Sequence, residues 1–137
     1  MKPEQLQALL RYRLEQAYET LREAEILLAG NALRGTVNRA YYAMFYALLA
    51  LLATRQLGTS KHSSAISLFD REFVKPGLLS RDLSRQLRLG FNLRQTHDYG
   101  EMVEIDRPTA EQSLANAREF VEAVETYLYT AGHLTAD

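Results

Sequence analysis

Residues 40–53 read AYYAMFYALLALLA, and this run decides the fold. Drawn at about 100° per residue it is apolar nearly all round, apart from the phenolic tips of Tyr41, Tyr42 and Tyr46. A helix that crosses a bilayer needs about 20 apolar residues. Fourteen are too few, so no membrane is expected, and the run reads as a helix at the centre of a protein core.

Working outward, the central helix is predicted over about 32–56, ending at Gly58. A first helix precedes it over about 3–29. Pro3 suits its opening turn, and Leu6, Leu10, Leu14, Ala17, Leu21, Ala24 and Leu28 keep the spacing of one buried face. Gly30-Asn31 is its stop signal. A third helix starts after Thr59-Ser60, a plausible cap, carries Ile66, Phe69 and Phe73, and ends before Pro76-Gly77. A fourth follows Ser80 and runs to about Tyr99, with Gly100 as its terminator. After a short polar loop, a fifth opens at Asp106 or Pro108 and runs to about Ala131. Its core face is Ala110, Leu114, Ala117, Val121, Val124 and Leu128. No convincing alternating strand separates them. Long amphipathic helices on short connections predict an all-α, antiparallel up-and-down bundle of four to five helices. The chain reads as a single domain over 1–137, with its core at about 5–130.

At 137 residues such a domain buries about two thirds of its surface and needs no staple. There is no cysteine, which removes disulfides, thiolate zinc sites and thiol catalysis, and suits a reducing cytoplasm, the expected location. The amphipathic N-terminus lacks the apolar core of a signal peptide. A net charge of −1 supplies no global attraction to nucleic acid or membrane, so any such contact must be local.

The polar residues on core faces are the informative ones. On the fourth helix Leu83, Leu87 and Phe91 share one side, and Arg81, Arg85 and Arg88 the other. Arg94, His97 and Asp98 fall among the leucines, while Tyr99 points elsewhere. An arginine buried without a partner is costly, so this turn either pairs internally, as Arg94 and Asp98 can at i,i+4, or faces a cleft. On the central helix Asn38 shares a side with Tyr41, Phe45 and Leu49. It can meet Arg94 only if these two helices pack closely, which Gly90 would permit. The arginine stripe is a solvated face or a phosphate contact. Lys61 and His62, opening the third helix, either cap it or bind an anion there.

Several chemistries are set aside. Repeated Glu-x-x-His pairs for a di-iron site are missing, the three histidines are too dispersed for a zinc site, and there is no glycine-rich phosphate loop. No metal and no cofactor are expected. An arginine and a histidine together can nonetheless cleave RNA without metal, the histidine moving protons and the arginine stabilising charge on phosphate.

The blocks NRAYYAMFYALLALL, SKHSSAISLFDREFVK, LRQTHDYG and AREFVEAVETYL, in that order, resemble the HEPN domain family over about residues 5–130. The resemblance implies a dimerising all-α bundle in a toxin–antitoxin or defence setting, with a minimal nucleotidyltransferase as partner. It also implies RNA or nucleotide as ligand. Many members are metal-independent ribonucleases with an arginine, four to six residues, then a histidine, placed in a cleft shared by the homodimer. On that pattern Arg94 and His97 are the catalytic candidates and Tyr99 the site where the partner enzyme would attach AMP; Asn38, Asp98, Lys61 and His62 are the binding candidates that the helix faces and the start of the third helix single out. Here only two residues separate Arg94 from His97. The alternative is a non-catalytic HEPN module that binds a nucleotide or protein through the same turn.

Overall fold

A computed structural model of the chain describes residues 1–98 and 104–136, without the side chains of residues 96–98. Every regular element among the described residues is helical: α1 Pro3–Ala29, α2 Leu33–Ala53, α3 His62–Phe69, a π-helical turn Asp70–Val74, α4 Arg81–Asp98 and α5 Arg107–Thr130. The predicted all-α bundle is the observed one.

The central helix is central. α2 packs against α1, α3, α4 and α5, and its residues from Val37 to Leu52 are buried on nearly every side. Small side chains make this possible. Ala40, Ala43, Ala47 and Ala50 are fully enclosed, which lets neighbouring helices approach, while Met44, Leu48, Leu51 and Leu52 fill the space between them. Each buried leucine contributes about 2 kcal/mol from its apolar surface. The core faces expected for α1 and α5 are enclosed too, with Leu6 and Leu28 at the margins. Phe120, absent from the expected α5 face, is fully buried and sets its ring 5.5 Å from that of Phe69.

The helix ends differ in detail from their sequence signals. At the end of α1 the left-handed residue is Asn31 (φ 60°), not Gly30 (φ −86°). Arg107, the first residue of α5, donates to the Leu28 carbonyl at 3.2 Å, placing a cation on a helix C-terminus. α2 stops at Ala53 rather than near Gln56, because Gln56 takes the left-handed φ of 56°. The cap of α3 is Lys61; Thr59 instead accepts from the Lys61 amide at 3.1 Å. Asp106 caps α5 as expected, accepting from the Thr109 amide at 2.9 Å.

The arginine stripe of α4 is solvent-exposed but largely committed. Arg85 pairs with Asp82 at 3.0 Å, and Arg88 pairs with Asp70 of the π-helical turn. Ser84 donates to the same carboxylate at 2.5 Å. Asp70 therefore fastens the end of α3 to the first turns of α4, which brings the start of α3 and the end of α4 to the same part of α2.

Candidate functional site

Three elements meet there: the first half of α2, the first residue of α3 and the last turns of α4. α4 packs closely on α2 at Gly90. A Cβ at that position would sit 3.5 Å from Met44 Sδ and from Tyr41 Cδ1, ordinary contact, so the space between the helices holds a small residue there and no long side chain. One turn later Arg94 reaches back over the α2 tyrosines. Its guanidinium carbon is 5.2 Å from the centre of the Tyr42 ring and 5.9 Å from that of Tyr41. Both distances are within cation–π range.

His62 reaches the same two rings from α3. Its ring lies flat on Phe45, with centroids 4.0 Å apart and planes 8° apart, and stands edge-on to Tyr42 at 5.7 Å. Its Nδ1 is 2.8 Å from the hydroxyl of Tyr41, which is otherwise enclosed in the core. Phe91 closes the α4 side, 5.8 Å from the Tyr41 ring. Arg39 completes the group, its guanidinium carbon 4.9 Å from the Tyr42 centre; it donates to Asn38 Oδ1 at 3.0 Å and lies 3.8 Å from Glu23.

The electrostatics follow from that crowding. Burial, then the nearby positive charge of Arg94, pulls the His62 imidazolium below the usual histidine range. The Tyr41 phenol is pushed well above its ordinary value, mainly by burial, with the Arg94 charge opposing. Both groups are therefore neutral near pH 7, beside a permanently charged guanidinium. Chemically the arrangement presents a planar cation, an imidazole and partly exposed aromatic faces on one surface.

Arg94 and His62 are thus brought together, although the sequence placed them in separate candidate groups. Asn38 lies one turn before Tyr41 and Tyr42 on α2, beside Arg39. Lys61 is exposed, next to His62. The side chains of His97 and Asp98, and the whole of Tyr99, lie outside the described residues. Arg39 and Phe91 were not singled out as site residues by sequence; the only signal was their helical spacing from Tyr42 and Arg94. Among the described residues no group of three or more histidine, aspartate or glutamate side chains is placed to hold a metal ion. None of the described helices is long and apolar enough to cross a membrane.

A tight helical bundle with a cationic–aromatic surface formed by α2, α3 and α4 defines this all-α domain. A sequence model of the HEPN domain matches residues 10–127, and the chain belongs to that family. A "UPF0332 protein" of Thermotoga maritima is 38% identical over 117 residues, covering 85% of this chain and 89% of that one. Two proteins of Methanocaldococcus jannaschii are also similar. "Putative toxin MJ0605" is 35% identical over 91% of this chain and 90% of its own length. "Putative toxin MJ0142" is 32% identical over 90% of this chain and 84% of its own.

Proposed function

We propose that this chain is the toxin-like component of a toxin–antitoxin or defence module, working in the cytoplasm with a minimal nucleotidyltransferase as its partner. In this reading it acts on RNA as a homodimer and without metal. Family membership and the names of the two M. jannaschii relatives support the setting. The single observation that supports the RNA-directed part is the guanidinium of Arg94 held over Tyr41 and Tyr42, with the His62 imidazole on the same rings. The half-exposed rings of Tyr42 and Phe91 beside a fixed cation suit single-stranded RNA, whose bases stack while its phosphates take the charge.

The chemistry is a transesterification within RNA. A ribose 2′-oxygen attacks the adjacent phosphorus, a 2′,3′-cyclic phosphate forms, and the 5′-oxygen of the next nucleotide leaves. Arg94 stabilises the negative charge that develops on the non-bridging oxygens. In a cleft shared by two copies, one His97 imidazole takes the proton of the 2′-hydroxyl and the other copy's imidazolium gives one to the leaving oxygen. The test incubates purified protein with RNA in EDTA beside an Arg94→Ala, His97→Ala double variant. Cleavage by the native chain and loss in the variant is expected; equal cleavage by both would remove the assignment. Light scattering tests the dimer, and a monomer at micromolar concentration would undercut a shared cleft.

A second reading is favoured by the spacing of Arg94 and His97, two intervening residues where the ribonuclease motif has four to six. Here the same turn binds RNA or a nucleotide without cleaving it, and the EDTA assay shows no cleavage by either protein. In both readings the nucleotidyltransferase partner would transfer AMP to the Tyr99 hydroxyl, releasing pyrophosphate from ATP. Mass spectrometry should place the added AMP on Tyr99, and modification that persists in Tyr99→Phe would defeat that assignment.

A further inference from the structure

The contact between Tyr41 and His62 determines which way the imidazole presents itself. The Tyr41 hydroxyl is enclosed, and its hydrogen-bond partner among the described residues is His62 Nδ1. A phenol O–H buried without an acceptor is costly, so the hydroxyl donates and Nδ1 accepts. In a neutral imidazole the proton then sits on Nε2. His62 itself is only half-buried; with Nδ1 turned inward to Tyr41 and one ring face on Phe45, the Nε2 side of the ring is the one left facing outward. His62 therefore turns an N–H donor toward solvent.

Among the described residues, that donor stands in a positive neighbourhood. Arg94 of α4 is close enough to depress protonation of the ring, Lys61 precedes it in the chain, and Arg39 of α2 shares the Tyr42 ring with Arg94. Glu23 balances Arg39. A guanidinium carries five N–H donors, so Arg94 can hold a partner within the protein and still present donors outward. A neutral N–H donor beside a guanidinium suits a tetrahedral oxyanion, and the half-exposed rings of Tyr42 and Phe91 lie beside it for contact with an attached base.

We propose that the Nε2–H of His62 and the guanidinium of Arg94 together hold the phosphate of a ribonucleotide, with Tyr41 as the residue that keeps the imidazole a donor. The choice of ligand rests on the RNA-directed reading above; the geometry of the donors does not. In this scheme His62 is a binding residue and His97 is left for proton transfer. The same phosphate chemistry comes from a free nucleotide or from the backbone of single-stranded RNA.

The test follows the three histidines of the full chain by carbon–proton NMR during titration with inorganic phosphate, 5′-AMP and a short single-stranded RNA. The His62 ring signal is expected to move to saturation while that of His133 stays still, and Arg94→Ala should abolish the movement. Two variants separate donor from scaffold. His62→Asn keeps an acceptor for Tyr41 but withdraws the outward donor, and should weaken binding about tenfold. His62→Gln restores an N–H near the Nε2 position and should bind within about threefold of the native chain. RNA binding tighter than AMP binding marks the phosphodiester as the ligand; a response to AMP alone marks the free nucleotide. A His62 signal unmoved by all three probes, or His62→Asn binding as tightly as the native chain, overturns the proposal. If RNA is still cleaved in that case, the proposed function survives without it. A normal phosphate response with no cleavage removes the ribonuclease assignment and leaves this site standing.

Discussion

The hydroxyl of Tyr41 lies 2.8 Å from Nδ1 of His62, and this one bond joins the enclosed middle of α2 to the first residue of α3. Tyr41→Phe leaves the ring packing in place and removes only the oxygen. It is expected to cost about 1 kcal/mol, the net value of one such bond. It also frees the imidazole to carry its proton on either nitrogen. Urea unfolding measures the first effect, and nitrogen NMR of the histidine ring the second. A stability equal to that of the native chain would mean that the bond contributes nothing.

Because His62 is held neutral, stability should depend on pH in one direction. The folded imidazole has its pKa lowered, so between that value and about 6.5, the ordinary histidine value, the unfolded chain binds more protons than the folded one. Stability from this residue is complete above the unfolded pKa and is lost as pH falls through the folded one. The Arg94 cation on α4 acts the same way, since it opposes a further positive charge on the ring. The urea midpoint of the native chain should therefore drop between pH 7.5 and pH 5.5 more steeply than that of His62→Asn. Parallel profiles would show that His62 carries none of the dependence.

Much of this fold is legible in the sequence because apolar spacing is a local signal. AYYAMFYALLALLA announces a helix enclosed on all sides, and the faces of α1 and α5 follow from three-to-four periodicity. The close approach permitted by Gly90 is legible for the same reason. What the sequence hides is contact between distant segments. His62 and Tyr41 are 21 positions apart, and Asp70 and Arg88 18 apart. Nothing in either neighbourhood points to the other until α3 and α4 are laid against α2. The arginine stripe shows the cost. Periodicity places Arg85 and Arg88 on a solvated face, but only the fold shows that Arg88 is committed to Asp70. Helix ends are the other weak point, because Asn31 and Gln56 take left-handed angles that nearby glycines adopt at lower steric cost.

Asp70 should be worth more than its exposure suggests. It accepts from Ser84, which is nearly enclosed, and pairs with Arg88, so one carboxylate joins the π-helical turn to two successive turns of α4. Asp70→Ala is expected to cost about 1–2 kcal/mol, since it strands the Ser84 hydroxyl as well as breaking an ion pair. Asp70→Asn keeps an acceptor for Ser84 and should cost less. Urea midpoints of the two variants measure the difference. If alanine and asparagine are equally damaging, the ion pair with Arg88 rather than the serine bond holds the joint.

Gly90 separates the requirement for closeness from the requirement for glycine. Its backbone angle is helical, and an added Cβ would meet Met44 and Tyr41 at 3.5 Å, an ordinary contact distance. Gly90→Ala should therefore fit, and should stabilise the chain by about 0.5–1 kcal/mol because glycine is a poor residue inside a helix. Gly90→Leu is different. Its branched end would have to enter the space held by Met44 and the Tyr41 ring, at a cost of about 1–3 kcal/mol. Relief comes most easily by moving the end of α4 away from α2, which would draw Arg94 off the Tyr41 and Tyr42 rings. The two variants should thus part in both readouts: alanine raises the urea midpoint and leaves AMP binding intact, while leucine lowers the midpoint and weakens binding. A leucine variant that binds AMP normally would show that the position of Arg94 does not depend on the packing of α4 against α2.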